Sequence, residues 1–183
     1  MRIIAGQRRG KRLFSPSDRS IRPTADRLRE SIFNILGHRP AGAVVLDLFA
    51  GTGAMGIEAL SRGAIFACFI DRSPVATALI QRNLDACGFA GQSRVLRWDA
   101  CRETGSQIDL PVCDMVFMDP PYAQGLLAPA LACWTRSPFL RQKALMVIEH
   151  AFNEPLPPLH SSWQIAHQRS YGKSLVSFLE RVV

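Results

Sequence analysis

The sequence has no apolar run long enough to cross a membrane. Nothing in its 183 residues approaches about 18 consecutive apolar positions, and the stretch from Met1 to Arg8 lacks the apolar segment of an export signal. The five cysteines and four histidines are scattered, without a Cys-x-x-Cys pair or the spacing of metal ligands. We therefore expect a soluble, cytoplasmic, unexported monomer with reduced cysteines and no metal.

Acidic residues are scarce at the beginning of the chain. Residues 1–39, here called the basic segment, hold ten Lys and Arg against three acids, whereas residues 40–183 hold twelve of each. The whole net charge of +7 therefore lies in the first fifth of the sequence. Such a distribution is typical of a polyanion-binding arm on a neutral domain, and a solvated basic face is the alternative.

Two short apolar-containing runs, residues 2–5 and 11–14, flank an arginine-rich stretch between Gly6 and Gly10. This pattern predicts a β-hairpin whose tip would meet phosphates first. Apolar residues then recur at helical spacing from Leu28 to Leu36, which predicts a helix. The basic segment is thus expected to be a hairpin followed by a helix.

The stretch from Val44 to Gly63 organises the rest of the chain. An apolar run reaches Asp47 and passes through Gly51-Thr-Gly-Ala-Met-Gly56 into a helical segment, which predicts a strand, a tight loop and a helix that bind a nucleoside-bearing cofactor. The spacing also fits dinucleotide binding, with Asp71 placed as NAD requires. However, Asp47 would repel a pyrophosphate and could receive an ammonium group, which favours S-adenosylmethionine.

From residue 44 onward, apolar runs alternate with helical segments, and residues 163–180 resemble a closing hairpin. Among these elements, helices are predicted from about residue 74 to 87, before Gly88, and from 125 to about 134, and a strand is predicted over 144–148. This order predicts an α/β fold, a doubly wound and mainly parallel sheet with a C-terminal antiparallel hairpin. Four successive strands end in an acid, namely Asp47, Asp71, Asp99 and Asp119. Because ligands bind beyond the carboxyl ends of parallel strands, we expect these acids on one rim of the sheet.

The segment Asp119-Pro-Pro-Tyr122 suits methylation of an amino nitrogen. The Asp119 carboxylate and the Pro120 carbonyl could accept the hydrogens of an exocyclic amine and stabilise the positive charge that develops on it. The prolines restrict the backbone, and Tyr122 offers a ring on which a flipped base can stack.

The sequence resembles the RsmD-type 16S ribosomal RNA guanine-N2 methyltransferases, which are class I methyltransferases that use S-adenosylmethionine. Four segments carry the resemblance, and the first two are the more specific to this family: 1–11, 22–36, 47–60 and 118–122. The resemblance implies a Rossmann-like fold. It also implies methyl transfer to the exocyclic N2 of a guanine in 16S ribosomal RNA, within the small subunit or an assembly intermediate.

The resemblance further implies roles for individual residues. Asp47 and the glycine loop would hold the methionine end of the cofactor, Asp71 the ribose hydroxyls, and Asp99 the adenine amino group. The candidate cofactor-binding residues are Asp47, Phe49, Ala50, Gly51, Gly53, Asp71, Arg72, Asp99, Ala100 and Asp119. The candidate catalytic residues are Asp119, Pro120, Pro121 and Tyr122. The candidate RNA-binding residues are Arg8, Arg9, Lys11, Arg12, Arg22 and Arg27. Residues 1–39 would then contact RNA, and residues 40–183 would form the S-adenosylmethionine-binding domain.

Other functions stay open at this point. Another amino-group methyltransferase, acting on adenine N6 in nucleic acid or on a protein glutamine, is the nearest alternative. An NAD-dependent oxidoreductase remains possible from the glycines and Asp71. A non-catalytic RNA-binding protein is a third possibility, against which the intact Asp119-Pro-Pro-Tyr122 segment argues.

Overall fold

The computed structural model describes residues 1–15, 23–102 and 108–182, so the candidate RNA-binding residue Arg22 lies outside the described residues. The helices are α1 (Pro23–Leu36), α2 (Ala54–Ser61), α3 (Pro74–Cys87) and α4 (Leu127–Trp134). The strands are β1 (Val44–Leu48), β2 (Phe66–Asp71), β3 (Ser93–Arg97), β4 (Cys113–Met118), β5 (Leu140–Ala151), β6 (Trp163–Tyr171) and β7 (Ser174–Arg181). Within these described ranges, no helix is long and apolar enough to span a bilayer.

The seven strands of the described chain form one sheet in the order β3-β2-β1-β4-β5-β7-β6. The pairs from β3 to β5 are parallel, and β7 is antiparallel to both β5 and β6. The predicted doubly wound sheet with a closing hairpin is therefore confirmed. The chain leaves β1 toward β2 and later returns to β4 on its other side, so the direction of winding reverses between β1 and β4. Ligands bind beyond the carboxyl ends of strands at such a reversal.

Alternate residues of the central strands are buried on opposite faces of the sheet. Val45 and Phe117 belong to one hydrophobic cluster, and their neighbours Leu46 and Met118 belong to the other. The first cluster also holds apolar side chains of α1, α2 and α3, and the second holds those of α4. A strand that is buried on both faces shows a continuous apolar run, which is what the sequence has at β1 and β4.

The basic segment packs against the sheet as part of the same fold. Its predicted hairpin is present as one antiparallel bridge, between Arg2 and Arg12, and residues 6–8 form a 3-10 turn at its tip. Ile3 and Leu13 are buried in the first hydrophobic cluster. At Gly6, which has φ +80°, a Cβ would lie 1.8 Å from the Ser61 carbonyl oxygen, so only glycine allows this contact with α2.

Some element boundaries differ from those that the sequence predicts. Helix α4 begins at Leu127 rather than at Gly125. Strand β5 extends well beyond the predicted residues 144–148, because β4 on one side and β7 on the other both pair with it. Helix α3 begins and ends as predicted, with Ser73 capping its start and Gly88 at φ +72° after its end.

Candidate active site

A cavity of about 370 Å³ lies beyond the carboxyl ends of β1, β4 and β5. Six of the predicted site residues line it: Asp47, Phe49, Ala50, Gly51, Asp119 and Tyr122. The remaining predicted cofactor and catalytic residues lie outside its wall: Gly53, Asp71, Arg72, Asp99, Ala100, Pro120 and Pro121. The structure therefore brings the glycine loop and the Asp119-Pro-Pro-Tyr122 segment to one cavity, as expected of strand ends that share an edge.

The loop between β1 and α2 has a backbone that turns sharply beside the cavity. Phe49, Gly51 and Gly53 all have positive φ, at 56°, 55° and 76°. A Cβ added at Gly51 would have one neighbour within 4 Å, the Phe49 carbonyl oxygen at 3.9 Å, so this part of the loop is open to a ligand. The Gly51 N–H donates a 2.9 Å hydrogen bond to Asp71 Oδ2, and the Ser73 N–H donates one to Asp71 Oδ1. Asp71 therefore holds the loop in place from the end of β2.

The carboxyl group of Asp47 is buried at the floor of the cavity. Its Oδ2 accepts a 2.9 Å hydrogen bond from the Gly56 N–H at the start of α2. Burial raises the pKa of Asp47 from 3.8 to about 7; the Gly56 hydrogen bond opposes the rise and the negative charge of Asp71 adds to it. Near neutral pH, this carboxyl group is thus partly protonated, and a cationic ligand that binds to it would displace the remaining proton into solvent.

Asp119 follows β4 and Glu149 lies on β5, side by side at the cavity. Phe117 pairs with Val147 and Met118 with Ile148, so the next residues along the two parallel strands are neighbours. The pKa of Asp119 is raised well above its usual range, first because the cavity walls displace water, then because Glu149 and Asp47 are negatively charged. Asp119 is nevertheless exposed to the cavity, and water there moderates the effect.

Tyr122 joins the two sides of the cavity mouth through its hydroxyl group. The hydroxyl donates to Glu149 Oε1 at 2.7 Å and lies 2.8 Å from Ser174 Oγ at the start of β7. Burial is the main reason why the pKa of the Tyr122 phenol is raised above 10, so the phenol stays protonated and remains a hydrogen-bond donor. The Tyr122 ring is fixed at the edge of the cavity, beside Asp119.

Sequence reasoning missed several residues that line the cavity. The sequence does contain a signal for Glu149, because this acid follows the apolar run of β5 as the other acids follow the apolar runs of their strands. Ser174 and Arg29 had none, since they reach the cavity through the packing of β7 and α1. Met1 also lines it, with its sulfur 3.4 Å from Thr52 Oγ1 in the glycine loop. The start of the basic segment therefore forms part of the cavity wall.

Hydrogen bonds to Glu58 of α2 hold the start of the basic segment against the rest of the protein. Its carboxylate, which is fully buried, accepts hydrogen bonds from the Ile4 N–H at 2.8 Å and the Ala5 N–H at 3.0 Å. It also accepts one from Arg62 Nε at 2.8 Å and lies 3.7 Å from Arg29 Nε. Three hydrogen bonds and one longer ion pair thus surround one buried charge, and such partners are how proteins accommodate an ionised group away from water.

The predicted RNA-binding residues differ in how their side chains are held. Arg9, Lys11, Arg12 and Arg27 are exposed. Arg8 is exposed too, but its Nε donates to the Cys87 carbonyl oxygen at 2.7 Å and its guanidinium lies 5.6 Å from the centre of the Phe89 ring. Part of the hydrogen-bonding capacity of Arg8 is therefore used within the protein.

The fold is that of a class I methyltransferase, and the solved structures that superpose on the chain include a protein described as a putative methyltransferase. With the Escherichia coli protein yhhF, the TM-score is 0.86 and the identity 33%, covering 99% of this chain and 97% of that one.

Residues 1–180 match the family model described as "Conserved hypothetical protein 95". The chain is 35% identical to ribosomal RNA small subunit methyltransferase D of Escherichia coli K12, over 99% of this chain and 90% of the relative. It is 30% identical to the enzyme of the same name from Haemophilus influenzae, over 94% and 89%. The chain therefore belongs to this family, the RsmD family that its sequence resembles.

Proposed function

We propose that this protein transfers a methyl group from S-adenosylmethionine to the exocyclic N2 of a guanine in 16S ribosomal RNA. The observation that carries the proposal is one cavity lined by both the glycine loop and the Asp119-Pro-Pro-Tyr122 segment. The Escherichia coli and Haemophilus influenzae relatives are named as methyltransferases of the small-subunit ribosomal RNA, which supports this class of substrate.

The residues at the cavity fit S-adenosylmethionine. The volume of about 370 Å³ is within the usual range for small-molecule sites. Gly51 leaves room for a ligand against the loop, and Asp47 offers a carboxylate to an ammonium group. When bound, the cofactor supplies a methyl group on a positively charged sulfur. Asp71 would hold the ribose hydroxyls and Asp99 the adenine amino group; both acids stand at the ends of neighbouring strands β2 and β3.

Asp119 and Pro120 would orient the target amine. The lone pair of guanine N2 is delocalised into the ring, and acceptors on both hydrogens turn it toward the methyl carbon. Methylation would leave a positive charge on N2, which the Asp119 carboxylate and the Pro120 carbonyl would stabilise. N2 then gives up one proton, which the Asp119 carboxylate can accept and pass to water. The Tyr122 ring would stack on the base after it leaves its helix.

The basic segment would bind the RNA backbone beside this cavity. Its exposed cations lie on the same part of the chain that supplies Met1 to the cavity wall. Phosphate contacts there would position the RNA without selecting its sequence, while the base is selected in the cavity. We therefore assign residues 1–39 to RNA contact and residues 40–183 to cofactor binding and catalysis.

The proposal is tested by transfer of labelled methyl groups to ribosomal particles from cells that lack this gene, followed by nucleoside analysis. Labelled N2-methylguanosine at one position of the small-subunit RNA is the expected product. Label on adenine or on protein would show that the substrate is a different one and that the protein is still a methyltransferase. Absence of transfer to any of these would overturn the proposal. Free RNA, assembly intermediates and complete subunits are compared as substrates in the same assay.

Cofactor affinity should depend on pH through Asp47. The pKa of Asp47 is about 7 in the free protein, so below pH 7 an ammonium group must displace a proton. As the pH rises from 5 to 7, the dissociation constant of the cofactor should fall by up to about tenfold per pH unit. Above pH 7 it should level off. The cofactor's amino group, with a pKa of about 8, stays charged in this window.

Titration calorimetry in buffers of different ionisation enthalpy would measure both the affinity and the released proton. Asp47→Asn is the matched control, because its amide oxygen can still accept the Gly56 hydrogen bond. The variant should bind more weakly and without this pH dependence. If the wild-type protein shows no pH dependence between pH 5 and 7, the assignment of Asp47 to the ammonium group is wrong.

Neutralising exposed cations of the basic segment should weaken RNA binding and reduce its salt dependence. We expect the triple variant Arg9→Gln, Lys11→Gln, Arg12→Gln to lower the slope of log K against log salt by about 2 to 3, because each lost phosphate contact removes about 0.7 to 0.9. The control carries Gln at Arg136, Arg141 and Lys143, three exposed cations at or near the amino end of β5, away from the cavity. Equal slopes for the two triple variants would contradict RNA binding by the basic segment.

A further inference from the structure

Two carboxylates stand next to each other at the end of the cavity where the target base would enter. Asp119 and Glu149 follow paired residues on β4 and β5, and each lines the cavity. The glycine loop and Asp47 lie on the opposite side of Asp119, because β1 pairs with the other edge of β4. Glu149 therefore lies on the side of Asp119 that is away from the glycine loop, where the target base would be held.

Glu149 is held in one orientation, but its contacts use only part of the hydrogen-bonding capacity of its carboxylate. Tyr122 donates to its Oε1 at 2.7 Å, and Ser174, 2.8 Å from the same Tyr122 hydroxyl, secures the donor. The side chain is only half-buried and lines the cavity. It differs in this from Glu58, a fully buried carboxylate with protein donors on both oxygens. An ionised carboxylate accepts about four hydrogen bonds, so Glu149 retains capacity for a ligand.

We propose that Glu149 selects guanine by accepting the hydrogen of its N1, beside Asp119, which accepts a hydrogen of N2. The proposal rests on the function proposed above. The Watson–Crick edge of guanine presents two neighbouring donors, N1–H and N2–H, and two adjacent carboxylates match them. Adenine presents a bare N1, whose lone pair would face the carboxylate of Glu149 and be repelled. Tyr122 thereby has two roles, since its ring stacks on the base and its hydroxyl group orients Glu149.

The experiment uses purine analogues at the nucleotide that the labelling assay identifies. Small-subunit RNA is ligated to carry guanine, 2-aminopurine or 2,6-diaminopurine there. Both analogues keep the 2-amino group but lack the N1 hydrogen and the O6 atom of guanine, and they differ from each other at C6. The part of their loss that depends on the Glu149 carboxylate therefore reports on N1, and the part that Glu149→Gln leaves unchanged reports on O6. Guanine and analogue substrates compete in one reaction, so the ratio of their kcat/KM values does not depend on the amount of folded enzyme.

We expect the wild-type protein to prefer guanine over both analogues by roughly 10- to 100-fold. In Glu149→Gln the amide can donate to a bare N1, so the preference should fall at least about tenfold for both analogues. Glu154→Gln is the control: it makes the same carboxylate-to-amide change at a residue outside the cavity wall, where Glu154 accepts a 3.4 Å hydrogen bond from the Ala123 N–H, and should keep the wild-type preference.

Two results would overturn the role of Glu149 while the proposed function stands. One is an unchanged preference in Glu149→Gln. The other is an equal loss of preference in Glu154→Gln, which would mean that removal of a negative charge near the cavity, and not a contact with N1, changes the preference. A wild-type protein that leaves guanine unlabelled would instead refute the proposed function, and with it this inference.

Discussion

Asp119→Ala is expected to slow methyl transfer by roughly 10²- to 10⁴-fold while changing the dissociation constant of S-adenosylmethionine less than about threefold. Asp119 lies between the glycine loop and Glu149 and is exposed to the cavity. Its carboxylate would act on an amine that gains positive charge only as the methyl group arrives. Loss of that interaction raises the barrier to transfer and leaves the energy of the bound cofactor nearly unchanged.

Single-turnover methylation and cofactor titration together test this division of roles. Asp119→Asn keeps one acceptor oxygen and should fall between the wild-type protein and the alanine variant. Glu154→Ala removes a carboxylate that accepts a 3.4 Å hydrogen bond from the Ala123 N–H but lies outside the cavity wall, and should affect transfer little. An equal loss of cofactor affinity and methyl transfer in Asp119→Ala would show that Asp119 serves cofactor binding instead.

Because the pKa of Asp119 is raised, methyl transfer should also increase with pH up to that pKa, if the carboxylate is the active form. Asp119→Asn, which has no such proton, should lack this limb of the pH profile. The test separates Asp119 from Asp47, whose titration acts on cofactor affinity rather than on the rate of single turnovers at saturating cofactor.

Glu58→Ala is expected to lower the free energy of unfolding by about 3 to 5 kcal/mol, the usual cost of breaking a buried ion pair from one side. The substitution leaves the N–H groups of Ile4 and Ala5 without their acceptor. It also removes one acidic partner of Arg29, which is 4% exposed and keeps its 2.9 Å pair with Asp26. The start of the basic segment would detach from α2, and Met1 would leave the cavity wall.

Urea unfolding monitored by two probes would measure the loss, with Arg62→Ala as the control. Arg62 is 17% exposed and pairs with the same carboxylate, so its removal leaves the two backbone hydrogen bonds intact and should cost about 1 kcal/mol. Glu58→Gln keeps an acceptor and should be intermediate. A loss below about 1 kcal/mol in Glu58→Ala would mean that hydrophobic packing, for example of Ile3 and Leu13, holds the basic segment without Glu58.

The fold could be predicted largely because its signals are local. Each strand that is buried on both faces is a short apolar run, and each helix has its own period and terminal residues, as at Ser73 and Gly88 of α3. Alternation of the two element types then implies a parallel sheet with its ligand site at the carboxyl ends. The predicted residues at the ends of β1 and β4 line the cavity for this reason.

The residues that line the rest of the cavity could not be predicted from such local signals. Met1, Arg29 and Ser174 come from parts of the chain that are far apart in sequence, and nothing in their local patterns indicates which cavity they approach. Ser174 reaches it because β7 runs antiparallel to β5, which brings the start of β7 beside Glu149 and the strand ends. Strand order and direction depend on which apolar faces are buried together, a property of the whole chain.

The amino-acid sequence by itself determined which chemical groups this protein offers: a glycine loop after a strand, acids at strand ends, the Asp119-Pro-Pro-Tyr122 segment and a basic segment. These depend on residue type and on spacing within a few positions, which are fully present in the primary structure. Only the tertiary structure decided that Glu149 stands beside Asp119, that Tyr122 orients it, and that the basic segment forms part of the cavity wall. Those contacts join residues dozens of positions apart, and the long-range burial of side chains is what selects them.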